Sequence, residues 1–127
     1  MTDPSISRRI LVVDDDPDVV EMLARYLGRE YDVVIARDGP GALAAAGREP
    51  HPHLILLDIM MPGMDGVGVA HRLRMMPEIK HVPIIFVTAK DGPMDVIKGI
   101  QAGARSYITK PFRLDDLKEK VDKALGR

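Results

Sequence analysis

The sequence predicts an α/β fold: a five-stranded parallel sheet with five helices distributed over its two faces. Three observations predict it. Five short apolar runs rich in Val and Ile recur along the 127 residues, without the clean alternation of strands that are solvated on one face. Segments with helical period separate them, the pattern of β-α units. The connections are too short for anything but crossover helices, which in such sheets are right-handed.

The first run is Ile10–Val13 (ILVV). Asp16–Pro17 then reads as a cap followed by a first-turn proline, and Val19, Val20, Met22, Leu23, Tyr26 and Leu27 recur with helical period up to a stop at Gly28. The second run is Tyr31–Ala36 (YDVVIA), before a short Ala-rich helix over Pro40–Ala46 that ends at Gly47. The third is Leu54–Leu57 (LILL), and its helix spans Asp65–Met76, where Pro77 stops it. The fourth is Val82–Val87 (VPIIFV). A fourth helix follows over Pro93–Ala102 and ends at Gly103; Gly99 inside it costs ~1 kcal/mol relative to Ala and should soften it. Ser106–Thr109 (SYIT) is the fifth strand, and Leu114, Leu117, Val121 and Leu125 stripe a C-terminal helix.

Apolar residues make up 46% and charged residues 29%, which suits one domain over residues 1–127 with its core between about 9 and 125. With three Tyr, two Phe and no Trp, the core must be aliphatic, and the eight Met are expected to fill its gaps. A net charge of -1 with no concentration of Lys or Arg speaks against nucleic acid and anionic membrane as partners. Absence of Cys excludes disulfides and thiol chemistry. The start, MTDPSISRR, lacks the apolar segment of a signal peptide. No apolar run approaches the ~20 residues that span a bilayer. A cytoplasmic protein is expected.

In a parallel sheet all C-terminal strand ends share one rim, and ligands of open α/β sheets bind there. Asp14, Asp15 and Asp16 follow the first strand, Asp58 ends the third, Thr88 ends the fourth, and Thr109-Lys110-Pro111 ends the fifth. Carboxylates within ~6 Å of one another raise each other's pKa unless a cation intervenes. An incomplete set of oxygen ligands suits Mg2+ better than Ca2+. Lys110 opposite the metal, with a Thr88 hydroxyl nearby, makes a receptor for a phosphoryl group. Asp58 is a competent nucleophile toward phosphorus.

LVVDDD, LILLDIMMPGMDG, FVTAK and GARSYITKPF, in this order and spacing, resemble the receiver domain of two-component response regulators, the chemotaxis regulator type. The likeness runs from about Arg9 to Leu125. It implies a flavodoxin-like doubly wound sheet of order 2-1-3-4-5 and a phosphorylation-activated signalling switch rather than an enzyme. Asp58 would be the phosphoacceptor. Asp14 and Asp15 would hold Mg2+ (Mn2+ as a substitute) together with Asp58 and the backbone carbonyl of Met60. Thr88 and Lys110 would contact phosphoryl oxygens, Lys110–Pro111 would be cis, and Thr88 with Tyr107 would form the switch. A histidine kinase or histidine phosphotransfer protein would donate the phosphoryl group. The face of fourth helix, fifth strand and fifth helix would then control an output partner or domain, as a monomer or a phosphorylation-dependent dimer. Arg105-Ser106 departs from the acidic residues the family often carries before the Tyr. Lys90 adds a second cation, expected to alter acyl-phosphate lifetime.

Simpler readings stand beside these. Asp16 and Asp65 read as helix caps. His51 and His53 precede the third strand and so belong to the opposite rim; His71 and His81 read as surface. Tyr107 as a plain strand residue competes evenly with its role as a switch. The rival function is a Mg2+-dependent phosphohydrolase of haloacid dehalogenase type, whose D-x-D start Asp14-x-Asp16 mimics. That reading leaves Asp58 unexplained.

Overall fold

Consecutive residues of a strand point to opposite faces of its sheet, and here both faces are buried. Leu11, Val13, Ile55, Leu57, Ile84 and Phe86 enter one apolar cluster, while Ile10, Val12, Leu54, Leu56, Ile85 and Val87 enter the other. That two-sided burial is why these strands read as continuous apolar runs. The strands are β1 (Arg9–Val13), β2 (Asp32–Ala36), β3 (Leu54–Leu57), β4 (Ile84–Thr88) and β5 (Ser106–Thr109). They pair in parallel throughout, in the order β2-β1-β3-β4-β5. The structure, a computed structural model, describes residues 8–61, 65–89, 98, 101 and 103–126.

Helices α1 (Pro17–Leu27), α2 (Gly39–Gly47) and α3 (Gly66–Arg74) and the C-terminal helix (Leu114–Ala124) cover the sheet. Val20, Leu23 and Leu27 of α1 share their cluster with Leu117 and Val121 of the C-terminal helix. Ala42 and Ala46 of α2 and Val69 and Leu73 of α3 fill the other face. Aspartates start α1, α2 and α3. Asp16 accepts from the Asp18 N–H, Asp38 from Gly41 and Asp65 from Val67, each satisfying an N–H the helix leaves unpaired. The caps expected at Asp16 and Asp65 are present.

The element boundaries move by small amounts, for local reasons. Helix α3 ends at Arg74 rather than Met76, because the Met75 N–H turns back to Arg72 O and tightens the last turn. Strand β4 begins after Pro83, which has no N–H for the ladder. The methionines correct an expectation. Met22, Met60 and Met75 are exposed, and of the described methionines only Met61 is buried. Branched aliphatics, alanines and Phe86 make up most of the core, with Met61 inside it and Met76 packed against it. Of the expected fourth helix only Lys98 and Gln101 are described, both helical; Lys90, Gly92–Pro93 and Gly99 lie outside the described residues. Gly103, its expected stop, has φ +97, a backbone conformation glycine adopts without strain.

Candidate functional site

The sheet's register builds the site. The Asp14 N–H donates to Ala36 O at 3.2 Å and the Asp58 N–H to Val13 O at 2.9 Å, so both aspartates sit one step beyond paired strand residues on adjacent strands. The Lys110 N–H donates to Thr88 O at 2.7 Å, which carries the lysine to the same rim from β5. The Lys110–Pro111 peptide is cis. Carboxylate oxygens of Asp14, Asp15 and Asp58 come within 4.8 Å of one another. Asp14 and Asp58 are buried, and Asp15 is more open.

Each carboxylate is oriented. Asp14 Oδ1 accepts from the Asp16 N–H at 3.0 Å, and Asp14 Oδ2 accepts from Lys110 Nζ at 2.7 Å. Asp58 Oδ1 accepts from the Met60 N–H at 3.0 Å, while Asp58 Oδ2 lies 3.5 Å from Lys110 Nζ. Lys110 thus belongs first to Asp14. Its compensation of Asp58 is partial, which is why a salt-bridged aspartate is raised here rather than depressed. Burial and the neighbouring Asp14 charge push the Asp58 carboxyl up to about 6, against the pull of the Met60 N–H and Lys110. Burial works to lower the Lys110 ammonium, but the hydrogen bond and charges of Asp14 and Asp58 outweigh it and hold Lys110 above the usual lysine value.

The loop under Asp58 is fixed by a close approach. The Gly66 N–H donates to Ile59 O at 2.9 Å, and a Cβ on Gly66 would lie 2.2 Å from the Asp58 carbonyl oxygen. No side chain fits there, so glycine lets the first turn of α3 lie against the phosphoacceptor candidate's own peptide.

Thr88 ends β4 fully buried at this rim, and Met60 is exposed beside Asp58. Tyr107 is 40% exposed on β5, so in this conformation it lies on the surface. Asp16 serves α1 as its cap. His53 sits at the opposite rim and accepts the Arg9 N–H on Nδ1 at 2.9 Å; His51 Nδ1 bonds Ala46 O at 3.0 Å; His71 and His81 are exposed.

The sequence reading missed Arg37. It follows β2 directly, and its Nη2 donates to the main-chain carbonyl of Asp15 at 3.1 Å. The signal was there: the rule that found Asp14, Asp58 and Lys110 also applies to the residue after the second apolar run.

All-oxygen donors this close, one of them with a raised pKa, form a site whose repulsion a divalent cation relieves, and the residues fit Mg2+. Comparison with known proteins points the same way. The profile of the response regulator receiver domain matches residues 10–122. The response regulator PleD of Caulobacter vibrioides is 48% identical over 113 residues, 88% of this chain and 24% of that protein. The DNA-binding response regulator MtrA of Mycolicibacterium smegmatis is 44% identical over 124 residues, 97% of this chain and 53% of MtrA. The chain therefore spans about a quarter to a half of these relatives. Among solved structures, the chemotaxis protein CheY4 of Vibrio cholerae superposes with a TM-score of 0.88 at 29% identity, over 94% of this chain and 99% of CheY4.

Proposed function

Since the chain belongs to the response regulator receiver domain family, we propose that Asp58 is its phosphoacceptor, with Asp14 and Asp15 as its metal ligands and Lys110 as the opposing cation. Members of the family are phosphoryl-accepting switches in two-component signalling, and they bind Mg2+ through an acidic cluster. One observation carries the assignment: a buried carboxylate flanked by two others and only partly compensated by its lysine.

Mg2+, or Mn2+ in its place, would be held by Asp14, Asp15, Asp58 and the Met60 carbonyl, and would neutralise charge on the transferring group. The chain's own residues do the remaining work. The Met60 N–H holds the Asp58 carboxylate in one orientation. Asp58, ionised above about pH 6, attacks the donor phosphorus; the new O–P bond forms as the donor's bond to phosphorus breaks. The leaving group keeps that bond's electron pair, a histidine nitrogen taking a proton from water and acetate leaving as the anion. Lys110 faces the developing charge from β5, and Thr88 donates its hydroxyl to a phosphoryl oxygen.

The acyl phosphate adds about -2 of charge at the rim. Thr88 closing on it makes room for Tyr107 to turn inward. The face of β5 and the C-terminal helix, with the predicted fourth helix, changes shape for an output partner or domain to read. The donor is a histidine kinase or a histidine phosphotransfer protein in the cytoplasm, and the protein acts as a switch rather than by turnover. No helix among the described residues is long and apolar enough to cross a membrane. The phosphohydrolase alternative gains nothing from the geometry, since Asp16 caps α1 and Asp58 sits at the centre.

Incubation with acetyl phosphate and Mg2+, followed by intact mass, tests this reading. Wild type should gain one phosphoryl group and Asp58→Asn none. Equal gain in both removes Asp58 from the role, and continuous hydrolysis of p-nitrophenyl phosphate would favour the phosphohydrolase.

A further inference from the structure

Among the described residues, two cations at this rim, Lys110 and Arg37, are in different electrostatic states. Lys110 enters from β5, and its ammonium lies 2.7 Å from one carboxylate and 3.5 Å from another, with its side chain 22% exposed. Its charge is compensated before any donor arrives. Arg37 enters from the other flank, immediately after Ala36, whose carbonyl holds the Asp14 N–H. Its guanidinium is exposed and rests on the Asp15 main-chain carbonyl, a neutral acceptor. Among the described residues no carboxylate pairs with it, although Asp15, Asp16 and Asp38 are neighbours in the chain or at the rim. Asp16 and Asp38 turn their oxygens to helix N–H groups instead.

We propose that Arg37 is a specificity-determining residue for the phosphodonor: an exposed cation, parked on the Asp15 peptide, that attracts the donor's dianionic phosphoryl group to the β2 side of the site. The inference rests on the phosphoacceptor reading of Asp58. A cation at the rim that no carboxylate pairs with raises the local concentration of an oppositely charged ligand there. A guanidinium matches phosphoryl oxygens better than a point ammonium does. The hydrogen bond to Asp15 O fixes where the guanidinium sits, so this attraction is directed at the rim and does not wander over the surface. Lys110, already paired, then acts on charge that develops during transfer, and Arg37 acts on charge the donor brings with it.

The test follows phosphorylation by intact mass at saturating Mg2+, at low salt and at high salt, with acetyl phosphate and with the less negatively charged phosphoramidate. Wild type, Arg37→Ala and Arg37→Lys are compared. Arg37→Ala should raise KM, here the acetyl phosphate concentration that gives half the maximal phosphorylation rate, about threefold, the scale of one exposed charge pair in water, with the maximal rate within about twofold of wild type. It should also lose most of the salt dependence and show a smaller effect with phosphoramidate, and Arg37→Lys should restore the salt dependence with part of KM. Wild-type KM and salt dependence in Arg37→Ala, while all three proteins take up phosphate, would overturn the inference alone. No mass gain by wild type would instead bring down the phosphoacceptor reading, and this inference with it.

Discussion

The two rims of the sheet treat charge in opposite ways. At the N-terminal rim Arg9 and Arg74 each meet several acceptors. Arg9 pairs with Asp32 at 2.6 Å and reaches the Pro50 carbonyl at 3.0 Å, and His53 accepts the Arg9 N–H. Arg74 donates to three main-chain carbonyls, those of Lys80, Val82 and Gly103, at 2.7, 2.8 and 2.7 Å. These contacts close the loops that enter β4 and β5. At the C-terminal rim three carboxylates crowd together and two of them, Asp14 and Asp58, share one lysine. The first rim lowers the energy of the fold. The second holds repulsion that a cation and a phosphoryl group can relieve, which is how a site stores a response to its ligands.

The sharpest way to break this contrast is to remove the stored repulsion. The Asp58 pKa lies at about 6 in the folded chain against 3.8 for an ordinary aspartate. A folded-state value above the unfolded one favours folding while the group is protonated. That contribution is complete below about pH 3.8 and is lost as pH rises through about 6. At pH 7 in chelator, Asp58→Asn should therefore be more stable than wild type, on the order of 2 kcal/mol once solvent at the open rim is allowed for. The difference should shrink as pH falls toward 5, and Mg2+ should raise the urea midpoint of wild type more than that of Asp58→Asn. Equal midpoints at pH 7 would mean that the acids are not in conflict.

Arg74 is the matching test at the other rim. Arg74→Ala removes three charge-assisted bonds to carbonyls and should cost about 2 kcal/mol in urea unfolding. Its rate of phosphorylation by acetyl phosphate should stay within about twofold of wild type. Arg74→Lys should recover little, because one ammonium lacks the fork that reaches three carbonyls on two segments. A large loss of phosphorylation in folded Arg74→Ala would show that the rims are coupled rather than separate.

How much of this was legible follows from what each feature depends on. The strands and their order of polar ends were legible because two-sided burial writes continuous apolar runs, and a charge at the end of such a run is conspicuous. Asp14, Asp58 and Lys110 were found that way. The pairing of Lys110 with Asp14 ahead of Asp58 was not, because it depends on fractions of an ångström between two similar carboxylates. Arg37 was passed over because a basic residue after an edge strand resembles an ordinary loop residue. Gly66 fell in the first turn of the expected third helix, and only the three-dimensional structure shows the Asp58 carbonyl filling the space of its missing Cβ. The methionines misled because composition records how many there are and not which face each one occupies. Tyr107 sits on a strand with a partly exposed face, where periodicity leaves both orientations open.

The smallest expected effect refines the contrast, because it runs against Asp58 in sign. His53 is held below the usual histidine value by burial and by the Arg8 and Arg9 charges, against the bond from the Arg9 N–H. A folded-state value below the unfolded 6.5 means that the contribution is present above about pH 6.5 and is lost as pH falls through the folded value. Protonation takes away the lone pair on Nδ1 that accepts the Arg9 N–H and sets a third positive charge beside two arginines. Acidification should therefore relax the C-terminal rim while loosening the N-terminal one. In an Asp58→Asn background, where the opposing group is gone, lowering pH from 7 to about 5 should cost roughly a few tenths of a kcal/mol once solvent screening of this exposed ring is allowed for. His53→Asn, which offers a side-chain oxygen in place of Nδ1 and does not titrate, should flatten that slope. A slope unchanged by His53→Asn would place the pH sensitivity elsewhere and leave the N-terminal rim indifferent to protons.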